Sequence, residues 1–357
     1  MATSTRSGLP RPPMDEDPIV FHASEATFFG VPRGGFDSLT PNGLAFIGMP
    51  SDATHTSRIG TRFGPRALRR TTSTLMHRIT SDAGDGGLHD VRQGALVQVA
   101  DLAAFTDLGD APIDEENVEA TMAGIAAYTR SAALAGALPV AVGGDHFNSY
   151  PACRGVSEAL AQRHPLKRFG YIQIDGHLDF GDQLGAWGRF NHATNARRVS
   201  ELPNIARENM VWIGIAGWVD GTDVAAIEDM GGLIITAEDW HKLGSREVAA
   251  RALAQALRGC DSIYLSIDVD ALDAGFLPGT GSIVHSEITP RQYLDLLTYL
   301  SSAPFCGLDF VEVSPPLDPS GRSDAIAARL LLEVLRSRFL RPSQDRWSGP
   351  AAGRLGP

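Results

Sequence analysis

Two short stretches place acids and imidazoles at alternate positions behind apolar runs. In "YIQIDGHLDF" (171–180) they are Asp175, His177 and Asp179; in "SIYLSIDVD" (262–270) they are Asp268 and Asp270. Side chains two residues apart on an extended segment point the same way, so each stretch offers its polar groups on one side. A mixed carboxylate and imidazole set suits divalent ions such as Mn, Ni, Co or Zn. Alone, the first stretch reads equally well as a solvated turn, where Asp and Gly are common. The second stretch, and His146 in "GGDH", tip that balance. Four aspartates crowded with two histidines cannot all stay ionised without cations, since like charges raise each other's pKa. Six ligands exceed the needs of one zinc-like ion. They suit a pair of ions about 3.5–4 Å apart that share bridging carboxylates and acidify a water between them.

The elements that must carry these groups are visible as apolar runs of strand length. They fall at 44–48, 138–143, 169–175, 211–217, 232–236, 262–270 and 307–313. The runs are apolar throughout, as expected of strands covered on both faces. Amphipathic helical patterns fill gaps at 115–136, 245–259, 289–302 and 323–340. The second opens on Ser245, read as an N-cap; the third has Pro290 at its first helical position. This alternation predicts an α/β fold: one domain, a parallel β-sheet of about eight strands with helices on both faces. Ligands bind beyond the carboxyl ends of such strands. His146, Asp175, Asp268, Asp270 and Glu312 all follow apolar runs at that end. Residues 1–17 and 341–357 are rich in Pro, Gly, Ser and charge and read as loose, flexible tails, leaving 18–340 as the one folded domain.

The motifs "GGDH", "DGHLD" and "SIDVDALDAGFLPGTGS" resemble those of the ureohydrolase superfamily of arginases, agmatinases, guanidinobutyrases and related amidinohydrolases. The likeness extends to "SRIGTRFGPRALR" (57–69) and "VEVSPPLD" (311–318), in the family's order. The resemblance implies an arginase-like α/β/α sandwich with two divalent ions, manganese by family habit or nickel. It implies that Asp175 and Asp268 bridge them, His146 and Asp179 complete one shell, and His177 and Asp270 the other. Hydrolysis of a guanidinium to urea and an amine follows. Asp179 is placed to take the proton of the attacking water. Glu312 offers two oxygens to a guanidinium, against the plainer reading of a salt-bridged glutamate. His192 lies 13 residues after Asp179, the spacing of the arginase proton shuttle, although a lone histidine in a polar loop is often merely exposed. An imidazole is a natural carrier near neutral pH. His55, in a loop that borders the family's pocket, is a further candidate for contact with substrate. The glycines of "GGDH" and "PGTG" read as tight packing near the metals, since no Lys or Ser/Thr follows in a phosphate-binding arrangement.

Departures from the family pattern bear on the substrate. Gly181 and Gly188 stand where arginases hold the substrate carboxylate with Asn and Ser; Gly217 and Val219 replace acids for its amino group. Arginine is therefore expected to be a poor substrate. Phe147, Phe180, Trp187 and Trp218 point to an apolar, smaller pocket, unless they are core or subunit-contact residues. Guanidine, an alkylated guanidine or a biguanide is the expected substrate, with agmatine and guanidinobutyrate as alternatives. A catalytically silent partner subunit is the rival of another class; the complete ligand set argues against it. A formiminoglutamate hydrolase would differ by releasing formamide, and a deacetylase of related architecture conflicts with the intact two-metal set.

The formal charge of −11 over 357 residues argues against a nucleic-acid or anionic-membrane partner, which would reward a basic face. The first residues are not expected to act as a secretory signal, and no apolar run is long enough to predict a membrane span. Three scattered cysteines fit neither a disulfide framework nor a thiolate zinc site. A cytoplasmic protein is expected. Family habit implies a homo-oligomer, trimer or hexamer, or a hetero-oligomer with a related subunit.

Overall fold

The computed structural model describes residues 26–83 and 88–342. The expected tails lie outside this range, Arg341 and Pro342 excepted. In chain order the elements are β1 (Leu44–Gly48), α1 (Gly64–Ala83), β2 (Leu88–Asp90), β3 (Ala95–Val99), β4 (Thr106–Asp110), α2 (Val118–Leu134), β5 (Leu138–Val142) and α3 (Ser149–Arg163). There follow β6 (Phe169–Ile174), α4 (Asn195–Ser200), β7 (Ile205–Ile215), α5 (Gly221–Asp229), β8 (Leu233–Thr236), α6 (Ala237–Leu243), α7 (Ser245–Ala256) and β9 (Ile263–Asp268). The chain closes with α8 (Pro290–Leu300), β10 (Phe305–Val311), α9 (Arg322–Val334), α10 (Arg336–Phe339) and β11 (Leu340–Pro342).

Eight strands form one parallel sheet in the order β4-β1-β5-β10-β9-β6-β7-β8. The chain leaves at β5, re-enters three places away at β6, and fills the two-strand gap last with β9 and β10. The four strands that deliver the chemistry are thus contiguous, β5-β10-β9-β6, and the centre of the sheet is completed only by the C-terminal third.

Alternation along each strand sorts side chains into two cores. On one face Phe46, Val140, Ile174, Leu265 and Phe310 pack with Leu68 of α1, Val248 of α7, Leu296 of α8 and Leu331 of α9. On the other, Ile47, Ala141, Tyr171, Trp212 and Tyr264 pack with Ile125 of α2, Val156 of α3, Val199 of α4 and Ile227 of α5. Both faces are covered, as the uninterrupted apolar runs require.

Three local features depart from the sequence reading. β4 was not foreseen because "TDLGD" carries two acids; Asp107 is paid for by Arg69, whose Nε donates to Oδ2 at 2.8 Å, and by Arg33, whose Nη1 donates to Oδ1 at 3.0 Å. Ser245 is not a cap: Gly244 precedes the helix, and the Ser245 hydroxyl donates to Gln292 O (2.7 Å) while accepting from Trp240 Nε1 (2.9 Å). The pattern over 323–340 breaks after Val334, and Leu340–Pro342 pair antiparallel with β3 in a small three-stranded sheet, β11-β3-β2. At α8 the expectation holds, with Thr289 and Gln292 forming a reciprocal capping box around Pro290.

Candidate metal centre

His146 opens the turn after β5. The backbone reaches it through Gly143 and Gly144, at φ +91° and +76°. A Cβ on Gly144 would lie 2.4 Å from Met49 O, so only glycine fits there. The His146 Nδ1 atom then stands 3.0 Å from Asp175 Oδ2, 3.0 Å from Asp179 Oδ2 and 3.1 Å from Asp268 Oδ2. Across the cluster, His177 Nδ1 is 3.1 Å from Asp270 Oδ2 and 3.5 Å from Asp175 Oδ1. Two ligand groups result, His146–Asp175–Asp179 and Asp175–His177–Asp270, sharing Asp175. Asp268 adjoins both, since its Oδ1 accepts from Asp270 N at 2.8 Å. All six side chains named from the sequence come together.

Residues not foreseen fix the donors in place. His146 Nε2 meets Ser266 Oγ at 3.0 Å, and Ser266 Oγ donates to Asp309 Oδ1 at 2.8 Å. With its only hydrogen on Asp309, Ser266 accepts from Nε2–H. The Nδ1 lone pair is thereby left facing three carboxylates, and Nδ1 has no hydrogen-bond partner. That orphaned buried nitrogen, ringed by oxygens, fits a cation. Gln173 Nε2 holds Asp175 Oδ2 at 2.7 Å, and Asn195 Nδ2 holds Asp179 Oδ2 at 3.0 Å. Ser266, Asp309 and Gln173 are polar residues inside buried strands, and that mismatch was the readable signal.

The electrostatics of these side chains agree. Burial, Asp270 and Asp175 push Asp268 well above the usual carboxylate range. Burial, opposed by His177 and reinforced by Asp175, carries Asp270 up to about 7. Burial opposes charge on His146, but Asp175, Asp179 and Asp268 outweigh it and draw a proton onto the ring. Asp270 and Asp175 raise His177 likewise. Protons gather where cationic charge is wanted.

Beside this cluster lies a second one. Glu312, 1% exposed, receives His146 N on Oε1 at 2.9 Å, and its Oε2 lies 3.2 Å from His55 Nε2. His192 is 9% exposed; its Nδ1 is 4.0 Å from Glu312 Oε1 and its ring stacks on His55 with centroids 4.3 Å apart. Burial lowers the His192 pKa, partly offset by Asp179 and Glu312. Burial opposes the Glu312 carboxylate too, but His55 and His192 hold its pKa below the usual value. Asp145, buried and pushed up to about 7 by burial and Glu312, accepts from Thr54 N and Oγ1 and so ties the 54–57 loop to the site.

The aromatic candidates lie farther out. Phe180 is buried edge-on against Trp212, centroids 5.5 Å apart, with Arg197 over its ring. Phe147 packs on Tyr150 and Phe190. Phe180, Gly181 and the fully exposed Trp218 line a groove of about 830 Å³ that opens from His177 and Asp179. Trp187, half exposed on a short turn, is not among its lining residues.

Known proteins share this architecture. The Arginase family model matches residues 42–336. A guanidinopropionase of Pseudomonas aeruginosa is 33% identical over 90% of this chain and 94% of its own length. A mitochondrial guanidino acid hydrolase of Homo sapiens is 33% identical over 83% of this chain and 79% of its own. The crystal structure of a hypothetical agmatinase from Burkholderia thailandensis superposes with a TM-score of 0.71 at 26% identity, covering 89% of this chain and 93% of that one.

Proposed function

Because the chain belongs to the arginase family, we propose that it hydrolyses a compact guanidino compound to urea and an amine or ammonia, using two divalent cations, Mn²⁺ or Ni²⁺. It is a hydrolase of C–N bonds in linear amidines. The convergence of six ligand side chains beside the buried Glu312 carries the reading. His146, Asp175, Asp179, Asp268, His177 and Asp270 would hold the cations. When bound, such a pair neutralises the carboxylates and supplies a water acidic enough to be used near neutral pH. Glu312 accepts the guanidinium's N–H groups and aims its central carbon at that water. Asp179 takes the water's proton. His192, beside Glu312, returns a proton to the departing nitrogen, without which an amide-like anion would have to leave.

A compact substrate, such as guanidine, dimethylguanidine or a biguanide such as metformin, is supported by the closure around Glu312. His55 and His192, 3% and 9% exposed, occupy its flanks. Agmatine is the second reading, on a specific observation. The outer groove carries Asp182, Asp220 and Asp223 against Arg197, which favours a cationic tail over the carboxylate of arginine or a guanidino acid. Phe180, Gly181 and Trp218 belong to this proposal as groove residues beside the substrate, with Trp187 on the rim outside the groove and His55 innermost, against Glu312. We extend it to a cytoplasmic homo-oligomer, or one formed with a related subunit, for which the exposed Trp218 and Val219 offer apolar surface. Mn- and Ni-loaded protein is to be assayed for urea release from guanidine, methylguanidines, metformin, agmatine, guanidinobutyrate and arginine. Urea from a compact guanidine is expected. No urea from any of them rejects the reaction, and preferred turnover of arginine rejects the substrate reading.

A further inference from the structure

We propose that residues 54–57 form a positioning strap for the two side chains on which the reading above rests: His55 orients the Glu312 carboxylate, and Thr56 orients the His192 imidazole. The strap is anchored at one end, where Thr54 N and Oγ1 both donate to the buried Asp145 at 3.1 and 2.6 Å. At the other end Arg58 Nε and Nη2 donate to Gly281 O and Thr280 O at 3.1 and 2.8 Å. Between these anchors every side chain is engaged.

The proton positions follow from the backbone. Ser57 N–H donates to His55 Nδ1 at 3.0 Å, so Nδ1 is an acceptor and a neutral ring carries its proton on Nε2. Nε2–H then donates to Glu312 Oε2 at 3.2 Å. With His146 N on Oε1 at 2.9 Å, the carboxylate is gripped on both oxygens and cannot rotate, while each oxygen keeps a free lone pair for a guanidinium. Gly281 makes room for this ring, since a Cβ there would lie 2.2 Å from His55 Nε2. Thr56 Oγ1 meets His192 Nε2 at 2.6 Å, and Thr54 O accepts from His192 N at 3.3 Å. The outer nitrogen of His192 is thus occupied, and Nδ1 is the one presented toward Glu312.

The same three side chains, His55, His192 and Glu312, lie close enough to hold a third cation. The strap argues against that use. To bind an ion through Nε2, neutral His55 would have to carry its proton on Nδ1, where it would face the Ser57 N–H.

Positioning and mere packing differ in what they move. With whichever compound of the panel releases urea, His55→Ala should raise KM about tenfold or more, as for a lost hydrogen bond to a charged group, and change kcat little. Thr56→Val should lower kcat about tenfold and leave KM in place, as for a misaimed proton carrier. His55→Gln, whose amide reaches the Nε2 position, and Thr56→Ser should each restore most of the loss. A fall in kcat together with a rise in KM in both variants, which the conservative variants do not rescue, would overturn the proposal. Two readouts need no substrate. Nitrogen-15 imidazole spectra of zinc-loaded protein should show His55 as the Nε2–H tautomer, and zinc content should be two per chain in wild type and His55→Ala alike. An Nδ1–H tautomer, or a third zinc lost with His55, would reject the strap. A panel without urea would reject the function alone, since tautomer and zinc count still decide this question.

Discussion

His192 Nδ1 lies 4.0 Å from Glu312 Oε1, beyond hydrogen-bond reach. The imidazole is therefore not spent on the carboxylate, and in the proposed reaction it would be free to meet a nitrogen that the carboxylate would hold. Removing it as His192→Ala should lower kcat by about 10²–10⁴-fold with a small change in KM. Steady-state kinetics check this, and partial recovery with added imidazole would tie the loss to proton transfer.

Glu312→Gln keeps the shape and His55's partner oxygen but removes the charge. The expected result is a rise in KM of about 10- to 100-fold, the worth of one charge-assisted pair. Metal content should stay at the wild-type level, which separates this residue from the ligands.

Ser266 touches no cation position, yet it sets which nitrogen of His146 carries the proton. Ser266→Ala should weaken metal affinity about 10- to 100-fold, as removal of a ligand's hydrogen-bond partner does elsewhere. Competition against a chromophoric chelator measures it, with circular dichroism to show the fold retained.

Chelation should destabilise the protein, because the cations bind the folded cluster and not the unfolded chain. At a free metal concentration of 100 Kd each site adds about 2.7 kcal/mol. Thermal unfolding should therefore show Tm falling with EDTA and recovering with Mn or Ni. Asp268→Asn should abolish that response, and a variant that still responded fully would remove Asp268 from the ligand set.

Acid sensitivity has a separate source. Asp318 accepts from the Ser320 and Ser323 hydroxyls, both at 2.6 Å, and these hold its pKa down at about 2. An unfolded aspartate titrates near 3.9. A depressed folded pKa contributes stability that is full above about pH 4 and lost as the pH falls toward 2. Asp318→Asn should therefore be less stable than wild type at pH 6, with the gap closing between about pH 5 and 2. Urea unfolding across that range tests the sign.

Much of this was legible in the chain. The apolar runs located seven of the eight strands of the large sheet, and the two alternating stretches together with "GGDH" named all six cluster residues, because strand patterning and crowding of charge are local properties. What escaped was non-local. β4 needs Arg69 and Arg33 to neutralise Asp107, a pairing invisible to a window of residues. His55 meets Glu312 across 257 positions, so the sequence marked the loop but not the contact. Trp218 and Phe180 read alike as pocket aromatics, yet one is fully exposed and the other buried against Trp212. Loop conformation decides that, and composition does not record it.

Asp179 and Glu312 sit at φ +47° and +66°, among the few non-glycine residues in the left-handed region. Such backbone costs about 1–3 kcal/mol at each position, and glycine would relieve it at the expense of the carboxylate. Laboratory evolution of this chain under heat alone, with no demand for turnover, would therefore be drawn toward glycine at 179 and 312. A library selected in that way would lose its chemistry first at the two positions where the fold is least comfortable.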